Sequence, residues 1–232
     1  MLDDLWFSDP TTHIFHEIND PRGLQDRRVL GVYRQRLDAA NLKVRFAAQA
    51  LEDVEGIIRQ LEHGEFIYFD DASRLKASFN LEAFVVFLRA AIDTTLCAYA
   101  AYFTGKTTFD SVNDVLSKWP VTWIPPERLG PWEELRAAYD SKSFTWIHAL
   151  AGREQGMSWR DLAVHKTTLA IDTIIDEKDR GKFVIALDKE TFGPAGPWLK
   201  NIFDEALRFV LVLMNQVRAA EIVHAAALSR SP

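Results

Sequence analysis

The sequence predicts a mainly α protein: a helical bundle of four to five substantial helices with a small β-hairpin near residues 168–188. Three observations predict it. Apolar residues recur at steps of three and four over long stretches, the mark of helices with one buried face. Gly 11 and Pro 9 in 232 residues are few for a turn-rich β architecture. β-branched residues cluster after His165, where the helical pattern gives way. Residues 1–26 read as an irregular N-terminal arm packed on the body, and 27–232 as one helical-bundle domain.

The elements follow in order. In the arm, Trp6, Phe7, Phe15 and Ile18 are mixed with Pro10, Pro21 and Gly23. From Arg27 to about His63, Val29, Tyr33, Leu37, Ala40, Val44, Ala47, Leu51, Val54 and Ile58 keep a helical period, and Gly64 marks the stop. A second helix is expected from about Ser78 to Phe103, before Gly105. It is apolar nearly all round, as befits a helix in the middle of a bundle. A short helix fits Phe109–Lys118, capped by Thr108 or Asp110. Four prolines (120, 125, 126 and 131) make Trp119–Pro131 a loop. Pro131 opens a helix over about Trp132–Ala151, and Ser158 opens another. Thr167–Ile175 and Lys182–Asp188 flank a charged turn, which reads as the hairpin. The last helix spans about Trp198–Leu228.

Hydrophobic residues are 48% and charged residues 26%, the balance of a globular chain. The net charge of -6 disfavours a passive nucleic-acid coat. The acidic start Met1–Trp6 is neither a secretory signal nor a transit peptide. Glu82, Arg89 and Asp93 interrupt the apolar stretch Phe79–Phe103, so it reads as a core helix and not a membrane span. A cytoplasmic protein is expected. Cys97 is the only cysteine, which excludes an internal disulfide.

Within that acidic background, residues 22–45 carry seven cations (Arg22, Arg27, Arg28, Arg34, Arg36, Lys43, Arg45) against Asp26 and Asp38. The segment could track an RNA backbone, with Arg27, Arg28 and Arg34 as the binding residues. It could equally pair with the acidic arm (Asp3, Asp4, Asp9, Glu17, Asp20), or remain a solvated face.

The sharpest local motif is Ser158-Trp-Arg160-Asp161-Leu-Ala-Val-His165. Ser158 and Asp161 have capping-box spacing, which places Arg160 in a first helical turn. Asp161 and His165, four apart, share a helix face, whereas Arg160 and His165 lie about 140° apart around it. The set suits a phosphodiester. An arginine fork holds phosphate oxygens, a helix start adds N–H donors, and a histidine titrating near neutrality can move a 2′-hydroxyl proton.

This Arg-Asp-x-x-x-His motif in a helical chain resembles the Arg-(four to six residues)-His motif of HEPN domains. The resemblance implies a helical bundle, commonly dimeric. Many members of that family are metal-independent endoribonucleases of toxin–antitoxin, antiphage or RNA-processing systems. It further implies that Arg160 binds phosphate, that His165 is the acid/base, and that Asp161 accompanies them. No cofactor or metal is then required. A homodimer, an RNA substrate and an antitoxin are the expected partners, with no membrane. The alternative is a non-catalytic helical dimerisation or interaction module. Arg218 and His224 also fit the looser spacing, without the Asp.

Other features read as structural. Arg89 and Asp93 form an i,i+4 pair, suited to a register-fixing contact or to a cleft. His13-x-x-His16 lacks a third metal ligand, Cys97 reads as an inert core thiol, and Gly105-Lys-Thr lacks the rest of a phosphate loop.

Overall fold

The structure, a computed structural model, describes residues 10–62, 70–112, 114–115, 133, 150, 171–174, 182–186 and 192–229. It is mainly α. The described elements, in order, are α1 (Pro10–Glu17), α2 (Arg27–Glu62), α3 (Asp71–Thr104), β1 (Ile171–Ile174), β2 (Lys182–Ala186), β3 (Phe192–Pro194) and α4 (Ala195–Leu228). The helix expected over 132–151 and the one opening at Ser158 fall almost wholly outside the described residues.

The chain contacts separate into two compact units, each built from discontinuous segments. One comprises Met1–Lys43, Ala90–Ser143 and Ala206–Pro232, the other Val44–Arg89 and Phe144–Glu205. Each of the three long helices contributes residues to both.

α2 starts where its cap dictates. The Asp26 carboxylate accepts the N–H groups of Arg28 at 2.8 Å and Val29 at 3.4 Å, and its carbonyl accepts Leu30 N–H at 2.9 Å. These are the donors a helix leaves without partners in its first turn.

α3 starts seven residues before Ser78, because Asp70 and not Ser78 is the cap. Asp70 accepts Ser73 N–H at 2.7 Å and Ser73 O–H at 3.2 Å. The Ser73 backbone hydrogen bond holds the Asp70 carboxyl below its usual 3.8, against an opposing desolvation. The depressed value sets the sign: the cap's contribution is present above the ordinary carboxylate value and is lost as pH falls through the lowered one. The protection of the Ser73 amide, its exchange rate relative to that of an unstructured chain at the same pH, should therefore fall on acidification, and Asp70→Asn should remove that change in protection. Ser73 protection in the wild type that does not change over this range would contradict this.

α3 ends at Thr104, where Gly105 takes the left-handed conformation (φ 71°) and donates its N–H to Ala101 O at 2.9 Å. A side chain at that φ would be strained, which is why glycine stands there. The all-round apolar composition of α3 is explained by its surroundings: Thr95 to Ala101 are all buried in succession. Thr95, the one polar member, returns its hydroxyl to Ala91 O at 2.8 Å.

The core of the first unit takes Tyr33, Leu37 and Ala40 from α2, Ile92, Leu96 and Tyr99 from α3, and Phe209, Leu213 and Val217 from α4. Ile14 and Phe15 of α1 and the following Ile18 are buried as well. Tyr33 and Tyr102 lie 5.9 Å apart, and Tyr102 meets Phe103 edge-on at 4.8 Å. In the second unit, Ala47, Leu51 and Val54 are buried with Leu81, Phe84, Leu88, Leu199 and Ile202. Phe46 lies against Phe87 at 5.1 Å, and Phe84 against Phe203 at 6.3 Å.

The strands belong to this second unit and form one antiparallel sheet of order β1-β2-β3. Ile171 pairs with Ile185 and Ile174 with Lys182, while Val184 pairs with Pro194 and Ala186 with Phe192. β3 was not anticipated; its Phe-Gly-Pro sequence is a poor strand signal, and Pro194 is tolerated because β3 is an edge. α4 follows at once. It begins at Ala195, three residues before Trp198, because Pro197 fits a first helical turn whose N–H has no intrahelical acceptor.

Candidate functional site

Arg160, Asp161 and His165 lie outside the described residues. The site can be built only from the other residues that the sequence singles out, most of them in the first unit.

Arg27 and Arg28 occupy the first turn of α2, exposed, and their side chains have no hydrogen-bond or ion-pair partner among the described residues. Arg34, two turns on, is differently placed. Its Nε donates to Asn19 O at 3.1 Å and its Nη2 pairs with Asp20. The sequence left open whether the basic segment meets RNA or the acidic arm; at Arg34 the arm occupies it.

Arg36 and Lys43 turn inward. Arg36 donates to the carbonyls of Cys97 at 3.0 Å, Thr107 at 2.8 Å and Phe109 at 2.7 Å. It thus ties the chain leaving α3 to the middle of α2. Lys43 donates to Thr94 Oγ1 at 2.8 Å. Charge in the basic segment is therefore partly structural.

The segment after Arg36's carbonyls is ordered by carboxylates and a hydroxyl. Asp93 accepts Val112 N–H at 2.7 Å, and Ser111 Oγ accepts Asp114 N–H at 3.2 Å. The helical residues here start at Val112, so the cap is Ser111 and neither Thr108 nor Asp110. Asp93 acts as a support for this turn. Arg89 is buried at 7% exposure, and its Nη1 donates to Leu150 O at 3.4 Å.

A second polar cluster joins the arm to α4. Glu221 accepts the N–H of Arg22 at 2.6 Å and of Gly23 at 3.1 Å, and also the Tyr102 hydroxyl. Gly23 allows the close approach: a Cβ there would stand 2.7 Å from Glu221 Oε1 and 3.1 Å from the Tyr102 oxygen, so the carboxylate would have to shift. Tyr33 donates to Ile18 O at 3.0 Å, and burial pushes its phenol well above its usual value. Sequence reasoning missed this cluster. Its one signal was Glu221 itself, a lone carboxylate in the otherwise uncharged run Ala219–Leu228.

The second Arg/His spacing, Arg218 and His224, is on α4. Arg218 Nε pairs with Glu17 at 3.2 Å, and His224 Nε2 is buried without a hydrogen-bond partner among the described residues. Glu17 also receives His13 Nδ1 at 3.4 Å. His13 and His16 are both exposed, and among the described residues no group of three His, Cys, Asp or Glu could hold a metal ion. Cys97 is buried, and burial pushes its thiol up to about 12, against the opposing pull of Arg36. Such a thiol stays protonated and unreactive at neutral pH. Among the described residues one helix, α3, is long and apolar enough to cross a membrane, and 67% of its apolar window is buried inside the protein.

Chemically, the first unit presents two guanidiniums at a helix start without a partner among the described residues, and two more, those of Arg34 and Arg218, that carboxylates of the arm hold. That arrangement can bind an extended anion at its surface. Comparison with protein-family models, with curated proteins and with solved structures found no match.

Proposed function

We propose that this chain is a HEPN-like, metal-independent endoribonuclease that acts as a cytoplasmic homodimer, of the kind held in check by an antitoxin. The single observation that carries the reading is the spacing Arg160-Asp161-x-x-x-His165. Two further features support it: the mainly helical fold, and the exposed Arg27 and Arg28, which are free to meet a phosphate backbone.

In this mechanism Arg160 grips the scissile phosphate with two parallel N–H donors. His165 takes the 2′-hydroxyl proton, so that this oxygen attacks the adjacent phosphorus and the 5′-oxygen leaves. The departing oxygen collects a proton from an imidazolium, either that of His165 or of its counterpart in the second protomer. Asp161 orients His165 from one helical turn away. Arg27 and Arg28 position the strand without reading its sequence.

The test is incubation of mixed cellular RNAs with the purified chain in excess chelator, beside an Arg160→Ala variant. Chelator-resistant cleavage by the wild type and its loss in the variant are expected. Intact RNA in both lanes would overturn the proposal.

One observation favours the second reading, a non-catalytic interaction module. Ile222 and Val223 near the end of α4 are 62% and 69% exposed, an apolar surface of the kind that marks an interface. That reading expects no cleavage under any condition, and self-association that Ile222→Glu disrupts.

A further inference from the structure

We infer that the arm is a built-in anion competitor: Glu17 and Asp20 hold Arg218 and Arg34 and so limit an anionic strand to Arg27 and Arg28 until it displaces them. The inference concerns regulation of the surface proposed above and rests on that reading.

Four observations lead to it. First, Arg34 is seven residues from Arg27, which places both on one face of α2 about 10 Å apart. A strand that follows α2 from Arg27 meets Arg34 next, and there it meets Asp20.

Second, the two ion pairs are wet. The Arg34 and Asp20 side chains are 43% and 84% exposed, and those of Arg218 and Glu17 52% and 33%. Pairs this open to water are weak and screened by salt, so a phosphate can replace the carboxylate.

Third, the backbone that carries these carboxylates is firmly held. Ile14, Phe15 and Ile18 are buried, Ile18 O accepts the Tyr33 hydroxyl, and Glu221 clamps the N–H groups of Arg22 and Gly23. The acids are therefore fixed against the arginines by contacts that do not involve the ion pairs. A strap needed only for stability would not also require exposed acids on exposed arginines.

Fourth, the competing charges are matched in place. Glu17 and Asp20 of the arm meet Arg218 of α4 and Arg34 of α2, while the side chains of Arg27 and Arg28 have no partner among the described residues. The outcome is a surface with two arginines open and two in reserve.

The experiment measures binding of a fluorescent 2′-O-methyl oligouridine, which lacks the hydroxyl needed for cleavage, by anisotropy at several salt concentrations. The proteins are wild type, Glu17→Gln/Asp20→Asn, Arg27→Ala/Arg28→Ala, and a charge-matched control, Glu52→Gln/Asp204→Asn. In the control, Glu52 is exposed and Asp204 holds an equally exposed partner, Lys200, at 3.0 Å. Removing the arm acids should let two more phosphates be neutralised. The salt slope should then steepen by about 1.4, with roughly tenfold tighter binding at low salt.

The control should stay within about twofold of the wild type. If the arm variant matches the control while Arg27→Ala/Arg28→Ala weakens binding, the competitor is overturned and the RNA surface stands. If Arg27→Ala/Arg28→Ala has no effect but the arm variant alone steepens the slope, the competitor stands and the role of Arg27 and Arg28 falls. No binding by any of the four overturns both. Unchanged thermal melts of the variants, and wild-type binding by Asp20→Glu, separate the loss of charge from a loosened arm.

Discussion

Replacing His165 with alanine is expected to slow RNA cleavage by about 10²- to 10⁴-fold while leaving the thermal melt of the protein unchanged. The size follows from its proposed role. A 2′-hydroxyl is a very weak acid, so attack on phosphorus is slow unless a base removes its proton as the new bond forms. An imidazole with a pKa near the working pH is partly free base and partly acid at once, and it can therefore serve both ends of the reaction. Arg160→Ala should leave proton transfer intact and remove the grip on the phosphate. Its effect should therefore appear both in weakened RNA binding and in rate. Equal cleavage by wild type and His165→Ala would exclude the histidine as the acid/base. Loss of the folded state in His165→Ala would instead assign it to the core.

The second large effect is on stability. Arg36→Met keeps the apolar stem of the side chain and removes its guanidinium. The carbonyls of Cys97, Thr107 and Phe109 then lose a charged donor together. The Cys97 carbonyl belongs to α3, and the other two lie in the chain that leaves it. Losing several hydrogen bonds to a charged group in a part-buried setting costs about 3 kcal/mol. For a chain of this size that corresponds to a fall of about 6–10 °C in the melting temperature. Arg36→Lys should recover only part of it, because an ammonium cannot span the three acceptors with a planar fork. A melt within 1–2 °C of the wild type for Arg36→Met would contradict this account of how the 105–109 segment is held. The prediction is independent of RNA: it tests the fold and leaves the proposed chemistry untouched.

Much of the fold was legible in the sequence because α2 and α4 are long and periodic. The start of α3 was not, because Asp71–Ala77 looks polar and breaks the apolar run; the Asp70–Ser73 pair was the better signal. β3 was hidden because Gly and Pro make up two of its three residues. For the site, the excess of cations over 22–45 was plain, but its destinations were not. An arginine reaches far enough to serve either solvent or a carbonyl more than seventy residues away, as Arg36 does with Thr107 and Phe109. Periodicity cannot tell these apart, since Arg34 and Arg36 differ only in which side of α2 they leave. The Glu221 cluster was hard to read for a similar reason: two of its three donors are backbone N–H groups, which leave no mark on residue type, and the third, the Tyr102 hydroxyl, is 119 residues away. The motif Arg160–His165 remains a reading of the sequence, supported by chemistry and not by placement.

The most direct test of metal-free cleavage is the chemistry of the product ends, read by mass spectrometry after incubation of a defined RNA in excess chelator. Attack by the 2′-oxygen must leave a 2′,3′-cyclic phosphate on one fragment and a free 5′-hydroxyl on the other, and the account predicts both. Fragments that carry 5′-phosphate and 3′-hydroxyl ends, or cleavage that stops when chelator is added, would contradict it.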